Sequence, residues 1–535
     1  MTKRATLRDA LLLLGFCGFF FFYRLSSFGL IGADEPRYAQ VAREMLARHD
    51  WITPTLGGIP WLEKPALYYW QAIISYSIFG ISDWAARIPS AFDATLMVAG
   101  IYIFLRRLRF VVGFSLDGAL IAASSVAVIG FARAASTDMP LTAMFTLAML
   151  CWFLWYEQQS KPVLALSYIF LALAALAKGP VAPFLALAII AIFAALRFDS
   201  SIIRKTFWLP GLLLFFAVCL PWYITVQMKN PEFFRAFILQ HNLARFGSNL
   251  YHHPAPFWYY IPVALVSLLP WTVFALASLW RSIRSWTKRP ESSDSALPQF
   301  LALWTLIPIA FFSLSQSKLP GYILPAIPAG ALLVVTYVNS MAKNSTLPGR
   351  TLIALHSIVA ASIILPALMS AYLLTEHRVP WGKPAIVPLA VTLLLAVLLA
   401  ALLRSNSGLR LFRIVTLIPI VIALALIFRF APPLLDEQFS ARPIAQQIAP
   451  LAPPSGQVMV FRARREIQFG LAFYRNQPIG RYGENPVPTG EHLVVATSGS
   501  QAELASDLPG RLVTLVGSYA PQKLEYFWVS AAAIR

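Results

Sequence analysis

The chain is 535 residues long, 58% hydrophobic and only 13% charged, with a formal net charge of +19. That balance excludes both a string of soluble domains and a disordered chain. The charge does not indicate nucleic acid as a partner, because the Lys and Arg residues punctuate apolar runs rather than forming a block in a polar setting, the pattern of a polytopic membrane protein oriented by the positive-inside rule.

The first apolar run, from Ala10 to about Tyr23, follows Lys3, Arg4 and Arg8 and has the flanks of a secretory signal. No small-residue cleavage site follows it, so it reads as a retained anchor spanning Ala10–Leu30. A polar first loop, roughly Ile31 to Arg87, comes next and opens with "DEPRYAQVAREML". Asp34 as a potential cap, with Pro36 just behind it, starts a helix there. Tyr38, Val41, Met45 and Leu46 give that helix an apolar side suited to the membrane interface. Asp34 has two readings at this point: a helix cap, or a carboxylate held at the lipid boundary to act as a base toward an acceptor. Further on, "WLEKPALYYW" sets Glu63 and Lys64 before an aromatic run.

Apolar runs long enough to cross a bilayer then recur at Ile88–Leu105, Val111–Ile129, Met139–Tyr156, Val163–Leu176, Val181–Leu196, Phe207–Val226, Phe257–Leu279, Leu297–Ser313, Tyr322–Val338, Leu352–Leu374, Ile386–Leu403 and Ile414–Phe430. With the first anchor this gives about 13 transmembrane helices. Loop charge supports the count. "RRLR" at Arg106, "RFDSSIIRK" at Arg197, "RSIRSWTKR" at Arg281, the basic loop after Met341 and "RSNSGLRLFR" at Arg404 all fall on one side, expected to be cytoplasmic. The opposite loops carry mixed charges, His, aromatics and Pro, and an odd span count puts the C-terminus with them, outside.

After about Leu434 hydrophobicity falls. Short apolar runs "QVMVF", "LVVAT" and "LVTLV" alternate with helical patterns at Ala441–Ile448, Arg465–Tyr474 and Gln501–Leu508, predicting a small α/β domain on the external side. The expected division is therefore a membrane region 1–433, containing the first external loop (31–87) with interfacial helices, and an α/β region 434–535. Cys17, Cys151 and Cys219 lie singly in apolar runs and read as small core side chains.

Several external loops each offer a cation, together with tyrosine and carboxylate. "HNLARF" spaces His241 and Arg245 as i and i+4, "SKLPGYILP" carries Lys318 and Tyr322, and Lys178 and Asp138 stand at span ends. Cations converging from several loops suit an anionic lipid phosphate, because Lys and Arg give its oxygens charge-assisted hydrogen bonds. A divalent cation is conceivable at Glu63 and His241, and His252 with His253 is a second pair, but adjacent loop histidines are more often solvated and no metal ligand set is assigned.

"DEPRYAQVAREML", "EKPALYYW", "AKGP", "HNLARF", "APFWYYIP" with "LLPW", and "KLPGYILP", in this order, closely resemble the bacterial aminoarabinose (4-amino-4-deoxy-L-arabinose) transferase family. That family lies within the polyprenyl-phosphate-dependent GT-C glycosyltransferases, which include the protein O-mannosyltransferases. The resemblance implies an inverting transfer of a sugar from undecaprenyl phosphate to an acceptor such as lipid A, at the periplasmic face of the bacterial inner membrane. It implies that Asp34 is the catalytic carboxylate and that Lys64, Arg245 and Tyr322 hold the donor phosphate. Glu35, Arg37, Tyr38, Glu63, Asp138, Lys178, His241 and Lys318 would line the cavity. Pro36, Gly321 and the composition of the C-terminal region depart from the family pattern, so a hexose, and a glycolipid, polysaccharide or protein acceptor, stay open. A lipid-carrier flippase would also need a phosphate site. It predicts polar residues through the spans toward the cytoplasm, whereas the polar residues gather at one face; Asp93 is the main exception and is too isolated to define a path.

Overall fold

A computed structural model describes residues 3–111, 113–244, 255–286, 296–365, 367–368, 383–405, 408–453 and 456–531. The chain packs as two compact units: the first comprises residues 1–23, 62–68 and 88–427, the second 24–61, 69–87 and 428–535.

The first unit is helical. Among the described residues seven helices are long and apolar enough to cross a membrane: Asp83–Arg107, Asp138–Gln158, Lys161–Lys178, Leu209–Lys229, Ala296–Ser313, Pro320–Lys343 and Phe412–Phe439. Two bent pairs, Phe114–Ala123 with Val126–Ala132 (62°) and Phe257–Ser267 with Thr272–Ser285 (119°), raise the number to nine if each is one span. All thirteen expected stretches contain helix, and among the described residues seven to nine of them pass as full spans by length and composition. Val181–Leu196, Arg350–Ser362 and Val387–Leu403 are further apolar helices; the last belongs to the 21-residue helix Lys383–Leu403, which at about 1.5 Å per residue is long enough to reach across a hydrocarbon core of about 30 Å. The first anchor is the helix Lys3–Cys17 running into a π-turn at Gly18–Phe22.

The bends have local causes. Ser124 and Ser125 turn their hydroxyls back onto the carbonyls of Leu120 and Ile121, at 2.6 and 2.9 Å, which weakens the helical ladder where the first pair breaks. Pro270, in the break of the second pair, has no N–H to continue a ladder. Elsewhere the unit packs densely around aromatic rings: Phe300 lies 5.0, 5.3 and 5.6 Å, centre to centre, from Phe153, Trp152 and Phe193.

The second unit is α/β. Strands β1 (Thr55–Leu56) and β2 (Ile59–Pro60) form a small antiparallel hairpin. The main sheet contains β3 (Val458–Phe461), β4 (Gly480–Arg481), β5 (His492–Thr497), β6 (Val513–Tyr519) and β7 (Leu524–Val529), in the order β4-β3-β5-β7-β6. β3 runs parallel to β4 and β5, while β7 is antiparallel to β5 and β6. Side chains alternate between two cores, as a pleated sheet covered on both faces requires. Val458, Val460, Leu493, Val495 and Tyr526 face one, shared with Ile444, Ile448, Ile467 and Leu471; Met459, Phe461, Val494, Ala496 and Phe527 face the other, shared with Leu504 and Leu508.

The helices Arg442–Ile448, Arg465–Arg475 and Gln501–Ser506 stand where the sequence pattern puts helices, and β3, β5 and β6 match the three expected strands. β4 and β7 were not expected. The run forming β7, "LEYFWV", is apolar on both faces because it is an inner strand, so it shows no alternation to read. The grouping also differs from a division at residue 433, since most of the first loop packs with the C-terminal residues rather than with the spans.

Candidate active site

In the second unit, Asp34 is the first residue of the helix Asp34–Ala47, and Ala33 occupies the N-cap with no side-chain cap bond. Asp34 is therefore not a cap. Its half-exposed carboxylate pairs instead with Arg37, one turn on. The Arg37 guanidinium lies 5.2, 5.1 and 5.6 Å from the ring centres of Tyr38, Trp61 and Phe469, so cation–π contacts hold the arginine that holds Asp34.

The helix does not lay its apolar side on lipid. Tyr38, Val41 and Met45 are fully buried in protein, and the helix packs on Arg465–Arg475. Glu35 is 6% exposed and turned inward. It accepts the Ile31 amide at 2.8 Å and pairs with Arg87 through 3.1 and 2.7 Å bonds. Tyr38 packs edge-on against Tyr69 at 6.4 Å. Glu35 and Tyr38, expected to line a cavity, are thus parts of this unit's interior.

In the first unit, Glu63 and His241 come together, Oε1 to Nε2 3.7 Å. His241 is set by the π-helical segment Phe234–Ala244. Lys178, the last residue of its helix, pairs with Asp138, the first residue of the next helix back. The Lys178 ammonium also lies 4.9 Å from the ring centre of Tyr322. Gly321 makes this approach feasible, since a Cβ there would stand 2.9 Å from the Asp138 carboxylate. Asp138, Lys178 and Tyr322 are therefore one cluster built by three elements.

Lys318 is buried, its ammonium donating to the Ser315 carbonyl, which ties it into its own loop. Lys64 is half-buried in the turn before the helix Leu67–Phe79. Arg245, His252 and His253 lie outside the described residues. Among the described residues no three His, Cys, Asp or Glu gather as a metal site.

Sequence reasoning missed Arg87, Asp83, Asp436, Arg442 and Tyr474, which surround the approach to Asp34, and the Asp117–Arg413 pair at 2.7 Å in the first unit. Arg87 did carry a signal: a lone cation in the apolar run "WAARIP" needs a partner.

The family model for dolichyl-phosphate-mannose-protein mannosyltransferase matches residues 10–237. Undecaprenyl phosphate-alpha-4-amino-4-deoxy-L-arabinose arabinosyl transferase 1 of Pseudomonas fluorescens is 31% identical over 420 residues, 77% of this chain and 73% of that protein. The chain belongs to this arabinosyl transferase family. The transferase of the same name from Pseudomonas aeruginosa is 33% identical over 347 residues, 62% of this chain and 60% of that one. The fold agrees: the crystal structure of ArnT from Cupriavidus metallidurans bound to undecaprenyl phosphate superposes with a TM-score of 0.76, covering 97% of each chain at 21% identity. As a member of the arabinosyl transferase family the chain is a multi-pass membrane glycosyltransferase, and the flippase reading gives way to the enzymatic one.

Proposed function

We propose that this protein transfers 4-amino-4-deoxy-L-arabinose from undecaprenyl phosphate to lipid A. The reaction would take place at the periplasmic face of the inner membrane, with the α/β region from residue 434 on that side. In this reading Asp34 is the catalytic carboxylate and Lys64, Arg245 and Tyr322 hold the carrier phosphate. The donor is a phosphodiester with one negative charge, and the leaving undecaprenyl phosphate gains a second. Fixed cations favour that developing charge over the ground state, which lowers the barrier. An acceptor phosphate is already ionised near neutral pH, so Asp34 would position it or stabilise the oxocarbenium-like centre; a hydroxyl acceptor would need Asp34 as base.

The observation that carries the reading is the 31% identity over 73% of the Pseudomonas fluorescens transferase. Mass spectrometry of lipid A and total glycolipids, from cells with and without the gene, tests it. A pentosamine-sized loss from lipid A is expected. Unchanged lipid A with a hexose-sized loss from another glycoconjugate would overturn both sugar and acceptor.

A further inference from the structure

The stretch that leads into Asp34, residues 25–31, is turn and irregular backbone apart from one bridge between Ile31 and Ser440, and side chains from distant parts of the chain hold many of its backbone groups. Arg87 donates through Nη1 to the carbonyls of Leu25 (2.8 Å) and Phe28 (2.9 Å) and through Nη2 to that of Gly29 (2.8 Å). The Gly29 amide donates to Asp436 Oδ1 at 2.8 Å, and the Leu30 amide to the Tyr474 hydroxyl at 2.7 Å. Tyr474 in turn donates to Asp83 Oδ1 at 2.6 Å.

Arg442 closes the ring, donating to Asp83 Oδ2 at 3.0 Å, to Asp436 Oδ2 at 3.1 and 2.8 Å and to the Ser26 carbonyl at 3.2 Å. The fit is tight: a Cβ at Gly29 would come within 2.5 Å of the Tyr474 hydroxyl oxygen and overlap Ser440. The helix bearing Tyr474 makes two more attachments, Phe473 accepting from Arg43 at 2.8 Å and Phe469 stacking on Arg37.

We propose that Tyr474 and Arg442 are positioning residues for sugar transfer, and that the α/β region serves the reaction by clamping the strand that feeds the Asp34 helix. This rests on Asp34 being the catalytic carboxylate. The tyrosine is suited to the task because one oxygen accepts from a backbone amide and donates to a carboxylate. Burial and the neighbouring Asp83 push its phenol well above the usual range, so it keeps its proton. Neither residue reaches the reacting atoms in this account. Each fixes the angle at which Asp34 is presented, and a misplacement of about 1 Å is worth on the order of 10²-fold in rate.

The test compares full-length wild type, Tyr474→Phe and Val494→Ala in proteoliposomes with undecaprenyl-phosphate-linked aminoarabinose as donor and lipid A as acceptor, recording kcat, donor KM, melting temperature and amide exchange at residues 29–31. Tyr474→Phe is isosteric and should fold. Its kcat should fall roughly tenfold or more, with donor KM unchanged and faster exchange at Leu30, since each factor of ten is about 1.4 kcal/mol of barrier. Val494→Ala destabilises the other face of the sheet, away from the clamp. It should lower the melting temperature yet keep kcat and Leu30 protection. Unchanged kcat in Tyr474→Phe, or an equal loss in both variants, would overturn the proposal. If wild type is inert with this donor, the substrate reading fails while the exchange arm still decides: unaltered Leu30 protection in Tyr474→Phe sinks the clamp, and its loss upholds it.

Discussion

Arg87 and Glu35, separated by 52 residues in sequence, meet as a buried ion pair with two hydrogen bonds, and Arg87 is wholly inaccessible to solvent. The pair lies one residue from the candidate catalytic carboxylate. Removing one member leaves the other charged and stranded. Arg87→Leu should therefore destabilise the fold by about 3–5 kcal/mol. The double variant Glu35→Leu/Arg87→Leu leaves no stranded charge and should regain much of that loss, although Arg87's three carbonyl contacts stay lost. Thermal unfolding in detergent measures both. A double variant no more stable than the single one would show that the carbonyl contacts, not the ion pair, dominate.

Asp34→Asn keeps the shape of the side chain and removes its charge. If the carboxylate acts on the acceptor or the developing cation, transfer should fall by about 10²–10⁴-fold. Donor binding should change little, because the carrier phosphate is assigned to other residues. Steady-state rates with titration of the lipid-linked donor check this. A variant that loses donor affinity and keeps its rate would place Asp34 on the carrier instead.

Gly321→Ala probes the cluster of Asp138, Lys178 and Tyr322. The added methyl would stand 2.9 Å from the Asp138 carboxylate and 3.0 Å from the Phe131 ring. Both neighbours are held by helices, so something must shift, at a cost of about 1–3 kcal/mol. The expected outcome is a lower melting temperature with weaker donor binding, since the shift moves the Lys178 ammonium that faces Tyr322. Full stability and affinity in this variant would show that the helices give way freely.

The spans were legible because an apolar run needs no distant partner to be recognised. The stretch Met139–Tyr156, for example, lies within the helix Asp138–Gln158. The short strands β3 and β5 were legible from apolar runs bounded by turns. What the sequence hid is pairing at long range. Leu30 and Tyr474 are 444 residues apart, and Gly29 and Asp436 are 407 apart, so no local pattern announces either contact. The apolar side of the Asp34 helix was visible, but lipid and protein leave the same periodicity. Only the Arg465–Arg475 helix, itself strongly amphipathic in its sequence, decides between them. The candidate site was readable as residue types and motif order, while Glu63 with His241, and Lys178 with Asp138, needed three dimensions to become pairs.

His492 gives the α/β region a pH dependence whose sign can be worked out. The ring is fully buried in β5, with Nε2 2.5 Å from the Tyr482 hydroxyl and Nδ1 3.0 Å from the Gly490 carbonyl. Burial pushes the Tyr482 phenol up to about 12, so it stays protonated and donates, which leaves Nδ1 as the imidazole's own donor. Burial likewise holds His492 below the ordinary histidine range, with nearby Arg511 acting in the same direction. The unfolded chain therefore takes up a proton that the folded one refuses. Stability is complete above the unfolded value of about 6.5 and declines as pH falls below it, levelling only once the folded ring is protonated. Amide exchange along β5 at pH values from about 7.5 down to 5 should show protection falling, and His492→Gln should flatten the dependence. An identical slope in that variant would assign the proton uptake to another group.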